Sequence, residues 1–257
     1  MFSFIINVLK IIFLLGFLII IHEGGHFLVA KLCKVKVNEF SIGFGKTIWK
    51  KQGKETIYSI RLIPLGGFVQ MEGENEESED KRAFSNVSIP KRIAIVSSGA
   101  IVNILFGILV YFALVSTVGL QFVDPAKDTF LNRMYYGGIQ TKEFVLSLFE
   151  SVKMIFTNGI SADQMTGPVG ISQIVVQTTT VSNYIYILAL ISVSLGITNL
   201  LPIPALDGGK IVLLLIEAVT RKKIKVETEA VITMIGFVLI IGLALYVTYH
   251  DVIRIFN

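Results

Sequence analysis

The feature that most constrains this chain is an apolar run that leads into a short polar motif. Residues 11–21 carry no charged side chain, and His22-Glu23-Gly24-Gly25-His26 follows directly before a second apolar stretch. Such a run predicts a membrane helix. An ionisable side chain inside a membrane helix costs about 2.5–3.5 kcal/mol on insertion scales, so its presence indicates a function. The alternative is a chance match in which the histidines only serve helix packing.

The spacing of the motif predicts a metal site. His22 and His26 are four residues apart and therefore lie on one face of a helix, where they can share a metal ion. Glu23 is turned to the side, so its carboxylate can act on a water molecule at the metal without being a ligand. This is the arrangement of a metal-dependent hydrolase.

The bulk composition excludes an ordinary soluble protein. The 257 residues are 53% hydrophobic and 16% charged, with a mean hydropathy of +0.71. We therefore predict an α-helical polytopic membrane protein with a retained first span. The formal net charge of +4 is modest and indicates no nucleic-acid partner, and the single cysteine excludes an intrachain disulfide. The predicted spans are residues 2–30, 93–122, 184–201 and 230–249.

The basic residues predict how the chain is oriented in the bilayer. Lysine and arginine are concentrated in residues 31–92 and again in residues 221–225. Since cytoplasmic loops carry an excess of these residues, both segments are expected to face the cytoplasm. The motif then lies toward the cytoplasmic side of a multi-pass cell-membrane protein, and residues 123–183 lie outside.

Three connecting segments have recognisable patterns. Residues 36–72 alternate apolar side chains with glycine and proline, which predicts a small β-hairpin region. Its part from Arg61 to Met71 is apolar enough to enter the bilayer, where a free strand edge could hold an extended peptide; a plain cytoplasmic hairpin is the alternative. Residues 72–80 are predicted to be a solvated acidic loop. Residues 141–157 predict an outer amphipathic helix that anchors the connection or gates substrate access.

A catalytic zinc site generally has three protein ligands, so one more is needed. Cys33 shares the helix face of His26 but lies about 10 Å along the axis, too far for one ion. Asp207 is the better candidate, because Pro202 and Pro204 interrupt the third span just before it; the alternative is that it only caps a helix.

Three other polar residues near the spans have open roles. Asn103 and Asn199 could bind a substrate backbone, orient a ligand or form hydrogen bonds between helices. Glu217 is expected to be solvated near the cytoplasmic interface.

Two separated motifs resemble the site-2 protease family of intramembrane zinc metalloproteases, particularly the bacterial regulator of sigma-E protease branch. The first is His22-Glu23-Gly24-Gly25-His26, and the second is the asparagine, the two prolines and the Leu-Asp-Gly of residues 199–209. Further matches lie in residues 40–45, 64–69, 99–103 and 167–170. The similarity covers nearly the whole chain.

The resemblance implies one Zn²⁺ per chain, bound by His22, His26 and Asp207, with Glu23 as catalytic base. It also implies peptide-bond hydrolysis in or near the transmembrane segments of single-span membrane proteins or signal-peptide remnants, in a bacterial cell membrane. The residues it would assign to substrate binding are Asn103, Asn199, Pro202, Pro204, Gly66, Gly67, Phe68 and Val69.

The sequence departs from the family pattern in two places. Ala100 stands where many relatives have proline, and the segment after the second span is too short for the PDZ domain usual in this branch, so residues 1–257 are expected to form one protease domain. The rival function is a membrane metal-binding scaffold or a transporter. A transporter would be expected to show a repeated half and more intramembrane polar residues.

Overall fold

A computed structural model describes residues 2–158 and 167–256. The elements in chain order are α1 (Phe2–Leu32), β1 (Val37–Gln52), β2 (Ile57–Met71), α2 (Ile89–Leu114), α3 (Phe130–Asn158), α4 (Pro168–Gln177), α5 (Val181–Asn199), α6 (Asp207–Thr220) and α7 (Val226–Phe256). The chain divides into two compact units. One contains residues 1–103 and 195–240, and the other contains residues 104–194 and 241–257.

The predicted polytopic helical fold is confirmed. Within the described residues, four helical stretches are long and apolar enough to cross a membrane: Ile5–Leu32, Ile89–Gly119, Val181–Asn199 and Val226–Arg254. Several helix ends lie a few residues beyond the predicted spans, because the helices continue past their apolar parts into charged turns. Glu227 and Glu229 in the first turn of α7 are an example.

The predicted hairpin region consists of two long antiparallel strands in the first unit. The first half of β1 pairs with the end of β2, with Val37 opposite Met71 and Ile42 opposite Gly67. Positive φ angles at Gly43 (87°) and Gly45 (81°) then bend β1, so that its second half pairs with the start of β2. The other side of the start of β2 pairs with residues 39–42, whose own far side pairs with residues 67–70. The segment 67–71 consequently lies at an edge of the described sheet.

The hairpin packs along the side of α1. The Phe27 ring on α1 contacts Phe40 and Tyr58, with ring centroids 5.2 and 6.0 Å apart. Farther along, a Cβ at Gly16 would lie 3.7 Å from the carbonyl oxygen of Pro64. Gly16 is 16 residues before the end of α1, which corresponds to about 24 Å of helix. The bend of β2 therefore lies beside the middle of a membrane-spanning helix.

α1 and α2 approach each other at backbone distance. A Cβ at Gly25 would lie 2.7 Å from the carbonyl oxygen of Ser98 and 3.0 Å from the Cα of Gly99. No larger residue fits at Gly25 without moving one helix. Next to this crossing is an apolar core shared by α1, the sheet, α2 and α6, which includes Ala30, Val35, Val37, Met71, Phe84, Ile95 and Leu214.

The acidic segment after β2 is more ordered than the predicted solvated loop. Hydrogen bonds from Asn38, Ser78 and Lys36 lower the pKa of Glu72 to about 2. The loop is therefore tied at its start to β1 and to the residue that precedes it. Three of its other acidic side chains, Glu76, Glu77 and Glu79, are exposed.

In the second unit, the amphipathic helix predicted at residues 141–157 is the later part of the longer α3. α3 begins at Phe130, eleven residues before the predicted start of the amphipathic helix. Tyr111 and Phe144 stack with ring centroids 4.0 Å apart, and Tyr186 adjoins both. Near the end of α7, Asp251 accepts hydrogen bonds from the backbone N–H groups of Gly167 and Gly170, at 3.0 and 2.8 Å, which satisfies the N-terminus of α4.

Glu217 is buried rather than solvated. Its Oε2 lies 2.5 Å from Arg92 Nη1, and the two residues are only 5% and 7% exposed. Glu217 Oε1 also accepts a hydrogen bond from the backbone N–H of Ile224. This ion pair joins α2 to α6, the helix that begins with Asp207.

We expect Glu217→Gln to lower the free energy of unfolding by about 3 kcal/mol, since it leaves the Arg92 charge buried without its partner. The double variant Arg92→Met with Glu217→Leu removes both charges and should cost less. The measurement is unfolding of the purified protein in detergent. A single variant as stable as the double variant would contradict the assignment of a buried pair.

Candidate metal centre

Three side chains from two distant segments meet in the first unit. His22 and His26 project from α1, and Asp207 is the first residue of α6. Asp207 Oδ2 lies 3.3 Å from His22 Nε2 and 3.4 Å from His26 Nε2, and the two imidazole nitrogens are 3.2 Å apart. The fold therefore brings together all three residues that were predicted to bind a metal.

The size of this triangle fits a tetrahedral zinc ion. Zinc bonds of about 2.0–2.2 Å at tetrahedral angles separate two donor atoms by about 3.3–3.6 Å. The observed edges of 3.3 and 3.4 Å lie at the lower end of that range, and the edge of 3.2 Å lies just below it. Asp207 Oδ2 is also buried and accepts no hydrogen bond from the described residues. Two imidazoles and a carboxylate are a donor set that zinc accepts in catalytic sites.

Each histidine is held from behind through its Nδ1 atom. His26 Nδ1 lies 2.9 Å from the carbonyl oxygen of Ile95, which can only accept, so Nδ1 carries the proton and Nε2 is left to bind a metal. His22 Nδ1 lies 3.4 Å from the amide nitrogen Nδ2 of Asn103, a residue that is 0% exposed and whose amide nitrogen and oxygen can exchange places by a flip. With His22 Nε2 on a metal, Nδ1 is a donor too, so the amide has to present its oxygen.

Glycines leave the space that these side chains occupy. A Cβ at Gly99 would overlap the ring of His26, so the histidine fills the place of a missing side chain on α2. A Cβ at Gly208 would overlap the carbonyl oxygens of Leu200 and Leu201. The first turn of α6, and Asp207 with it, therefore packs directly on the backbone that precedes it.

Glu23 lies next to the strand edge. A Cβ at Gly67 would lie 3.1 Å from Glu23 Cγ and 2.8 Å from the carbonyl oxygen of Ser41. A cavity of about 300 Å³ opens here, and its lining includes the predicted ligands and Glu23 on one side and Gly67, Phe68, Val69 and Met71 on the other. The predicted base, the predicted ligands and the edge of the sheet share one cavity.

The residues predicted to bind substrate are in different surroundings. Asn199 lines the cavity beside the ligands, whereas Asn103 is buried behind His22. Pro204 lines a second cavity of about 570 Å³ with residues of α6 and α7, and a Cβ at Gly236 of α7 would overlap its carbonyl oxygen. Pro202 is exposed. Gly66 has a φ of 119°, and a Cβ there would overlap the Phe44 ring.

A charged cluster at the cavity was not predicted from the sequence. Lys210 Nζ lies 2.7 Å from Glu74 Oε1 and 3.7 Å from Glu229 Oε1, and its ammonium is 4.9 Å from the centroid of the Phe84 ring. Glu74 belongs to the acidic segment that was predicted to be solvated. Lys210 could have indicated this cluster from the sequence. It lies one helical turn after Asp207 on the same helix face, where a lysine is expected to need an acidic partner.

Comparison with known proteins decides the family. The family described as Peptidase family M50 matches residues 10–243. The chain belongs to this family. The predicted resemblance to the site-2 proteases is thereby confirmed. This M50 protein is a multi-pass membrane metalloendopeptidase, and the names of its relatives include the term zinc metalloprotease.

Similar proteins cover most of this M50 chain. A protein of Clostridium acetobutylicum whose name describes it as a zinc metalloprotease is 30% identical to this chain, over 98% of both chains. The zinc metalloprotease RasP of Bacillus licheniformis is 25% identical over 97% of this chain and 99% of its own. The alignment with the first spans 339 positions although this chain has 257 residues, so at least 82 positions of that relative have no counterpart here.

Asp207→Ala should reduce zinc affinity by more than about 100-fold, because it removes a direct ligand. Loss of a residue that only hydrogen-bonds to a ligand typically reduces metal affinity by about 10- to 100-fold. The measurement is metal content by mass spectrometry after dialysis against buffered zinc. Asp124→Ala, a change at an exposed aspartate, is the matched control and should keep the wild-type content. Equal zinc in both variants would exclude Asp207 as a ligand.

Two substitutions at Asn103 test how His22 is held. Asn103→Leu removes the acceptor for Nδ1–H, so we expect zinc affinity to fall about 10- to 100-fold. Asn103→Asp keeps an acceptor oxygen and should retain affinity near that of the wild type. If Asn103 binds substrate instead, Asn103→Leu would raise the KM for peptide cleavage while zinc affinity stayed unchanged.

Proposed function

We propose that this protein is an intramembrane endopeptidase that hydrolyses peptide bonds in or near the transmembrane segments of other membrane proteins. The observation that carries the proposal is a zinc-sized donor triangle on a membrane-spanning helix, in one cavity with Glu23 and a sheet edge. In this proposal His22, His26 and Asp207 bind one zinc ion per chain, and Glu23 is the catalytic base.

The residues of the chain divide the chemistry between them. A zinc ion in this triangle supplies a Lewis acid for the scissile carbonyl and makes water acidic enough to react near neutral pH. Glu23 accepts the proton of the attacking water and later delivers it to the leaving amine. Ile95 and Asn103 keep the histidine nitrogens aimed at the ion, and Asn199 lies where it can hydrogen-bond to a substrate backbone.

The edge segment 67–71 is proposed to bind the substrate. A peptide bond inside a helix is shielded, because its carbonyl is already hydrogen-bonded within the helix. The substrate therefore has to unwind, and pairing with a strand edge replaces the hydrogen bonds it loses. In the described sheet, the segment 67–71 pairs only with β1, which leaves its other edge for the substrate. Gly67, Phe68 and Val69 bring this edge to the cavity that contains Glu23.

This geometry supports a proposal for the substrate class. A cavity of about 300 Å³ accepts a few extended residues and not an intact helix about 10 Å wide. We propose that single-span membrane proteins and signal-peptide remnants, which can unwind without disturbing a packed bundle, are the substrates. The biological roles that fit are regulated intramembrane proteolysis and the clearance of signal peptides.

Glu23→Gln should lower the rate of cleavage of a single-span substrate by about 10²- to 10⁴-fold, the usual contribution of a general base. Zinc content should stay at the wild-type level, since Glu23 is not a ligand. Both are measured on the reconstituted enzyme, with Glu76→Gln, the same change at an exposed glutamate, as control. Cleavage by Glu23→Gln at the control rate would exclude Glu23 as the base.

We also propose that the site faces the cytoplasmic side of a bacterial cell membrane. The support is the excess of lysine and arginine in residues 31–92 and 221–225. Cys33, one residue beyond α1, is the only cysteine and provides a direct test.

A membrane-impermeant maleimide should label Cys33 in inside-out vesicles and leave it unlabelled in intact cells. The matched control combines Cys33→Ser with Val123→Cys, at a fully exposed position predicted to lie outside, and should give the opposite result. Labelling of Cys33 in intact cells would reverse the proposed orientation.

A further inference from the structure

The outer part of the β-hairpin carries a surface that the proteolytic site does not use. Lys50, Lys51 and Lys54 are exposed there together with Trp49 and Ile60, which are 48% and 44% exposed. We call these five residues the hairpin surface. It combines a cluster of positive charge with two large apolar side chains, and both features require explanation.

The strand register orders these side chains along the hairpin. Trp49 lies opposite Ile60, Lys50 opposite Ser59 and Lys51 opposite Tyr58, and the turn at residues 53–56 follows. Each residue advances a strand by about 3.3 Å, so Trp49 is about 13 Å from Gly53. The lysines are therefore nearer the turn, and the apolar pair is nearer the bend of the sheet. Lys51 projects from the same face as Trp49 and Ile60, and Lys50 projects from the opposite face.

Contacts with α1 indicate where the hairpin turn lies relative to the membrane surface. Glu55 Oε2 lies 2.6 Å from Lys31 Nζ, and Lys31 is in the last turn of α1. The apolar span on α1 ends at Leu32. The turn is thus at the height where α1 reaches the membrane surface, and Trp49 and Ile60 lie on the part of the hairpin that leads back toward the bilayer.

None of the three lysines forms a close ion pair in the described structure, although Lys50 is near enough to Glu39 to help lower the pKa of that carboxyl. Neither Lys50, Lys51 nor Lys54 lies within 4.0 Å of a carboxylate oxygen, while the nearby Glu55 is already paired with Lys31 and Arg82. The positive charge of the hairpin surface is therefore available to an anionic partner from outside the chain.

We propose that the hairpin surface binds the headgroups of anionic phospholipids. The lysine ammonium groups pair with lipid phosphates, and Trp49 and Ile60 enter the boundary between headgroups and acyl chains, where tryptophan is enriched in membrane proteins. A lysine at an anionic surface contributes a factor of about five in binding. Binding would fix the height of the hairpin, and with it the height of the edge segment 67–71.

A lipid partner fits this surface better than an acidic protein. The exposed apolar side chains continue from Trp49 and Ile60 through Leu62 and Ile63, which are 62% and 49% exposed, to the bend beside Gly16 of α1. A continuous apolar strip that runs from the membrane surface to mid-span depth is suited to acyl chains. The proposal does not depend on proteolysis or on the direction in which the chain is inserted.

Trp49 is the only tryptophan, so its fluorescence reports on this surface alone. The full chain is reconstituted in nanodiscs that contain equal amounts of phosphatidylglycerol and phosphatidylcholine, with bromine on the acyl chains of one lipid at a time. Bromine quenches tryptophan only at close range. We expect brominated phosphatidylglycerol to quench Trp49 roughly twofold more than brominated phosphatidylcholine, because the lysines enrich anionic lipid around it.

Two triple variants complete the experiment. Lys50→Gln with Lys51→Gln and Lys54→Gln should make the two lipids quench equally, while quenching itself persists. Lys127→Gln with Lys142→Gln and Lys153→Gln makes the same change in net charge at exposed lysines elsewhere and should keep the difference. Zinc content of each variant shows that the fold is retained.

Two outcomes would overturn the proposal. Equal quenching by the two lipids in the wild-type protein would show that the surface does not select anionic headgroups. Absence of quenching by either lipid would place Trp49 in water and leave the surface to an acidic protein partner. Neither result would bear on the proposed proteolysis, which is tested separately by Glu23→Gln.

Discussion

The contact between α1 and α2 at Gly25 and Gly99 is the constraint on which the rest of the site depends. Only at backbone distance can the carbonyl of Ile95 reach His26 and the amide of Asn103 reach His22. Both histidines are thereby fixed by one neighbouring helix. Asp207 completes the triangle from α6, which the buried Arg92–Glu217 pair joins to that same helix. The three ligands therefore share a common support in α2.

Ionisable side chains within the bilayer raise the free energy of the folded protein, and a bound metal would offset this cost. Inserting an ionisable side chain in the bilayer costs about 2.5–3.5 kcal/mol, and the motif brings three such side chains into α1. Hydrogen bonds to the Nδ1 atoms reduce the cost for the histidines, while Asp207 Oδ2 accepts none from the described residues. A cation in the triangle would satisfy this oxygen and both Nε2 atoms together. Metal binding is thus expected to stabilise the fold as well as to serve catalysis.

Local patterns in the sequence predicted the ligands because their information is short-range. Four-residue spacing places His22 and His26 on one face, and the proline pair with the predicted orientation places Asp207 at their depth. Glu217 and Glu74 were misjudged, since their partners Arg92 and Lys210 are more than a hundred residues away along the chain. Asn103 had three open roles for the same reason. Spacing within one helix says nothing about which side chain of another helix lies behind it.

The depth of Glu23 has a consequence for the fate of a cut chain. Glu23 is nine residues before the end of α1, or about 14 Å below the place where that helix leaves the membrane. A segment severed at this height would leave two stubs, each covering about half of the 30 Å hydrocarbon layer. Neither stub has enough apolar length to remain anchored across the bilayer. Hydrolysis at mid-depth would therefore turn one membrane-spanning segment into two partly embedded ends that no longer hold the substrate across the membrane.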